Sequence, residues 1–85
     1  MNERLDLDAN VSAAVLLRAV RRKGLVVREL GSASRGARHW HIRRPEGPGT
    51  LELTEADGRV WLTVKPLWDG GWARSLAKRL AGGRA

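Results

Sequence analysis

The dipeptide Asp57-Gly58 constrains this chain more than any other feature, because it stands between two runs of alternating apolar and polar residues, 51–56 and 60–65. A type I′ turn needs positive φ at both central residues, and Asp-Gly adopts it at little steric cost. The pattern predicts a hairpin. With a two-residue loop, Leu53 faces Leu62, Leu51 faces Val64, Glu52 faces Thr63 and Thr54 faces Trp61. A three-residue loop would set Leu53 against Trp61 and scatter the apolar residues over both faces. A four-residue loop keeps the facing, so both even lengths satisfy the pattern.

The alternation extends backwards through 38–43, with Trp40 and Ile42 on one side and His39, His41 and Arg43 on the other. The connection 44–49, Arg-Pro-Glu-Gly-Pro-Gly, carries prolines and glycines that a paired strand does not accommodate, and reads as a loop. Closing it as a second hairpin gives an apolar face of Trp40, Leu53 and Leu62 beside Ile42, Leu51 and Val64. The opposite face has three rows: His39, Thr54 and Trp61; His41, Glu52 and Thr63; Arg43, Thr50 and Lys65.

Helices are expected on either side of this region. Asn10 is a suitable N-cap for a helix over 11–23, which places Ala13, Leu16, Leu17 and Val20 on one face and Arg18, Arg21 and Arg22 on the other. Gly24 suits the position after the helix, and the Leu-Val-Val-Arg-Glu-Leu run of 25–30 has strand composition. Further on, Asp69 is the expected cap of a second helix with Gly70 and Gly71 in its first turn. Its apolar face is Trp72, Ala73, Leu76, Ala77 and Leu80, with Arg74, Lys78 and Arg79 opposite, and Gly82-Gly83 ends it. Trp40, Trp68 and Trp72 are expected in the core or at its edge.

The expected fold is therefore α+β, a two-layer sandwich in the order helix, four-stranded antiparallel meander, helix (α-β-β-β-β-α), with both helices on the apolar sheet face. One small domain covers 1–85; residues 1–9 are the least determined part, with Leu5 and Leu7 able to pack or to extend, and 82–85 form a frayed tail. The order resembles that of the double-stranded-RNA-binding domain, which runs helix, three strands, helix and implies recognition of A-form RNA by shape and phosphate contacts. The chain departs from that family by its fourth strand and by Gly70, Gly71 and Trp72 where the family carries lysines.

Charge narrows the partners. Sixteen Lys and Arg against nine Asp and Glu give a net charge of +7, which favours an anionic partner such as nucleic acid. Thirteen of the sixteen are arginine, a bias that coding composition can explain, although it does not explain the excess of positive charge. No run approaches the roughly 18 apolar residues of a membrane span. The first ten residues lack the basic and apolar regions of a secretory signal. With no cysteine, disulfides and thiolate chemistry are excluded, which suits a cytoplasmic setting.

Among side chains that could carry chemistry, His39 and His41 at i and i+2 with Glu52 across from them could approach one metal ion, but three such ligands fall short of a structural zinc set. The plainer expectation is an ordinary His41–Glu52 cross-strand pair, with no metal and no cofactor. There is no tyrosine, and none of Ser12, Ser32, Ser34 and Ser75 lies near a histidine in sequence. The expectation is a non-enzymatic module with no small-molecule substrate. Trp61 on the polar sheet face, beside His39 and with Arg43 and Lys65 on the same face, suits bases stacking on the ring while cations track the phosphates. The helix cations Arg18, Arg22, Arg74 and Lys78 complete the candidate nucleic-acid-binding set. The alternative reading uses the same sheet face for protein interaction or homodimerisation, and Trp61 can also be covered by the N-terminal segment. Gly70-Gly71 resembles an anion-binding helix start, against which the Asp69 carboxylate competes.

Overall fold

In the computed structural model, residues 3–8, 11–31, 36–65 and 71–82 are described. The elements in chain order are β1 (Glu3–Asp6), α1 (Ala13–Arg22), β2 (Val26–Leu30), β3 (Ala37–Arg43), β4 (Leu51–Ala56), β5 (Arg59–Val64) and α2 (Trp72–Ala81). The Asp57-Gly58 turn has φ values of 53° and 73°, and Ala56 pairs with Arg59. The loop thus has two residues. The expected partners Leu53–Leu62, Leu51–Val64, Glu52–Thr63 and Thr54–Trp61 follow from it. The second hairpin likewise sets Trp40 against Leu53, Ile42 against Leu51, His39 against Thr54 and His41 against Glu52.

The expected four-stranded meander is incomplete. The sheet has five antiparallel strands in the order β1-β5-β4-β3-β2. The fifth strand is β1, which returns to the far edge and pairs Leu5 with Leu62, Arg4 with Thr63 and Asp6 with Trp61. The Leu7 amide continues the ladder with a 3.0 Å bond to the Val60 carbonyl. Element order is therefore β-α-β-β-β-β-α within the α+β class. The strand forms because its period-two alternation lets Leu5 extend the apolar face while Arg4 and Asp6 stay on the other.

Helix α1 begins two residues later than expected. Ser12 is its N-cap, and the Ser12 Oγ accepts a hydrogen bond from the Val15 amide at 3.2 Å; Asn10 lies outside the described residues. A serine satisfies an orphan first-turn amide as well as an asparagine does, so two cap-forming residues two positions apart leave the start ambiguous in sequence. Gly24, at φ 83°, follows the Lys23 C-cap. For α2, Gly71 at φ 93° precedes the helix instead of lying in its first turn. That left-handed conformation is outside the helical range and favours glycine. Asp69 and Gly70, and with them the cap and anion-site expectations, fall outside the described residues, as does Trp68. Gly82 ends the helix.

One core cluster joins Leu16, Leu17 and Val20 of α1, Leu76, Ala77 and Leu80 of α2, and the Trp40, Ile42, Leu51, Leu53, Leu62 and Val64 face of the sheet. Since those sheet residues share one side of the pleat, both helices lie on that side. Ile42, Leu51, Leu53, Leu62 and Val64 are 0% exposed, so truncating one removes packing that cannot be recovered at the surface. Trp72 sits at the core edge. Its Nε1 donates to the Pro48 carbonyl at 3.0 Å, and the Arg44 guanidinium lies 5.3 Å from its ring centre, which fixes the β3–β4 loop against α2.

Candidate functional site

Among the described residues, no element packs against the other side of the sheet. One row reads Asp6, Trp61, Thr54, His39 and Leu30 across β1, β5, β4, β3 and β2, and the next reads Arg4, Thr63, Glu52, His41 and Arg28. Trp61, His39 and His41 are half-buried, whereas Arg28, Arg43 and Arg59 are exposed. The His39 Nδ1 lies 3.1 Å from Thr54 Oγ1, and the His41 Nε2 lies 3.2 Å from Glu52 Oε2. Thr54, flanked by the larger Trp61 and His39, is only 2% exposed. The two imidazoles therefore have separate partners, and among the described residues no group of three His, Cys, Asp or Glu side chains is placed to hold a metal.

The cation on Trp61 is Arg4. Its guanidinium carbon lies 3.9 Å from the ring centre, and its Nε and Nη2 both donate to Asp6 Oδ1, at 3.0 and 2.8 Å. The carboxylate holds the guanidinium plane while the ring quadrupole attracts the charge. Trp61 is thus partly covered from within the chain, by the N-terminal strand. Lys65 lies four residues beyond Trp61 along the chain, about 13 Å at ordinary strand rise. The row of Arg43, Thr50 and Lys65 is not a paired row, because the ladder ends at Ile42, Leu51 and Val64. Arg43 instead lies opposite Val26 of β2. Sequence reasoning missed Arg4, Arg28 and Arg59. The signal for Arg4 was the alternation Arg-Leu-Asp-Leu, whose pairing partner lies nearly sixty residues away along the chain.

On the helix side, the four candidate cations separate. Arg74 Nη2 stands 2.8 Å from Glu3 Oε1 and ties α2 to β1. Lys78 is exposed on α2, and Arg18 and Arg22 are exposed on α1. Arg18 and Arg22 line a cleft of about 690 Å³ between α1 and the sheet, together with Arg21, Arg38, Glu29 and Glu55. Within it Arg38 donates two 3.0 Å hydrogen bonds to the Glu29 carboxylate and lies 4.8 Å from the centre of the Trp40 ring. The bonds from Arg38 hold the Glu29 carboxyl below its ordinary range and raise the guanidinium above its own. The same carboxylate–arginine–tryptophan arrangement therefore occurs on both sides of the sheet.

The arrangement defines an α+β protein with one sheet face covered by both helices and the other uncovered among the described residues. No family model matches the sequence, and neither a curated protein nor a solved structure does. No helix among the described residues is long and apolar enough to cross a membrane.

Proposed function

We propose that the chain is a small, non-enzymatic, cytoplasmic nucleic-acid-binding module whose open sheet face takes single-stranded RNA or DNA. The observation that carries this reading is the Arg4-capped Trp61 in a row with His39, on a face that also presents Arg28, Arg43 and Arg59. An arginine plane and an indole ring are both stacking surfaces for a base, and either accepts all four bases because each has a π face. A base can lie on the outer plane of Arg4 or displace it from Trp61. The exposed arginines then meet the phosphates on either side. Unpaired bases are required, since a duplex keeps its bases stacked on one another and offers none to the ring.

The test is titration of single-stranded oligonucleotides into the protein at two salt concentrations, read by tryptophan fluorescence. Binding through Arg28, Arg43 and Arg59 gives a log–log salt slope of about −2, from roughly −0.7 per neutralised phosphate on a single strand. Absence of salt-sensitive binding to any RNA or DNA sinks the reading. Homodimerisation through the same face is the competing outcome, and sedimentation at two protein concentrations identifies it as a stable dimer in which Trp61 is protected.

A further inference from the structure

We infer that the cleft between α1 and the sheet is a second binding site, one for chains of phosphate groups. The cleft, about 690 Å³ in volume, is within the usual range for ligand sites, although it is open rather than enclosed. Its charge is unevenly satisfied. Arg38 is engaged by Glu29 through two hydrogen bonds and is laid on Trp40. Arg18, Arg21 and Arg22 line the same cleft and make no ion pair among the described residues. Four arginines against Glu29 and Glu55 leave a net charge of +2, carried by the α1 side.

The geometry of α1 explains why these charges converge. Ala14, Arg18 and Arg21 follow one another at spacings of four and three, so they share a helix stripe, and Arg22 is one turn beyond Arg18. Ala14 is small and leaves room at one end of the stripe. Leu17 and Trp40 supply apolar walls, and beside them a charged contact is less screened than in open water. Guanidinium groups bind phosphate oxygens through paired N–H donors, which a carboxylate-free stripe leaves available. Several adjacent anions are needed to use three guanidiniums at once. A polyphosphate group has that form, and so do consecutive phosphates of a nucleic-acid backbone.

This site lies on the helix side of the sheet and does not depend on the open face. The experiment is calorimetric titration of the intact protein with tripolyphosphate, alone and in the presence of a 12-nucleotide single strand. Wild type is compared with Arg18→Gln/Arg22→Gln and with Arg79→Glu, which lowers the net charge by the same two units at an exposed position of α2. The expected result is at least tenfold weaker tripolyphosphate binding in the α1 variant and less than twofold in the α2 variant. Glu55→Gln, which removes the remaining carboxylate, tightens it. If the oligonucleotide competes with tripolyphosphate, the source is a nucleic-acid backbone; if it does not, a free polyphosphate is the ligand. Equal weakening in the α1 and α2 variants, or no tripolyphosphate binding by wild type, overturns the site. Trp61→Ala, which tests the sheet face, leaves tripolyphosphate binding unchanged, so failure of one site is distinguishable from failure of the other.

Discussion

Arg4 holds one side of Trp61 through two kinds of contact, a 3.9 Å approach to the ring centre and a pair of hydrogen bonds to Asp6. Arg4→Ala removes about 0.5–1 kcal/mol of stability, as expected for a cation–π contact near the surface. It also uncovers the indole, so the emission shifts to the red and acrylamide quenching increases. A second residue-scale prediction concerns Glu29, whose carboxyl is held below its ordinary range by the bonds from Arg38. Folding therefore favours the ionised form. The resulting stability is present at neutral pH and is lost as pH falls through and below the ordinary carboxylate range. The pair is exposed, so the effect is small, and Glu29→Gln flattens that acid limb in urea midpoints measured against pH. At this scale the sequence was legible where a contact follows from strand register, as for His41 and Glu52. It was weak for Arg4, because the contact joins strands that are neighbours in the sheet but far apart along the chain.

At the scale of elements, the hairpins were legible because one chemical constraint, positive φ at Asp57 and Gly58, sets the register of every residue on β4 and β5. The alternation of β3 then places its own faces without further information. Strand β1 was less legible for two physical reasons. It has four residues, too few for a strong alternation signal, and it is stabilised by a partner at the other end of the chain. The start of α1 was ambiguous because Asn10 and Ser12 are both able to cap it. The cap bond from the Val15 amide to Ser12 predicts that Ser12→Ala lowers stability by about 1 kcal/mol. Chemical denaturation of that variant checks the assignment, and a change below a few tenths of a kcal/mol would mean that the helix is held from elsewhere.

At the scale of the molecule, the sandwich follows from counting apolar faces. The sheet has one and each helix has one stripe, so covering all three places both helices on a single side and leaves the other side without a cover among the described residues. The excess positive charge then divides between an open sheet face and a cleft beside α1. Composition made the charge legible, but only the packing separates Arg74, which is tied to Glu3, from Arg18 and Arg22, which are not. The central claim is that bases stack at Trp61 on the open face. Its most direct measurement is the affinity of Trp61→Ala for a 12-nucleotide single strand at fixed salt, relative to wild type. Loss of one stacked base at about 1–3 kcal/mol predicts binding about 5- to 150-fold weaker. Unchanged affinity in a folded Trp61→Ala protein would contradict the account.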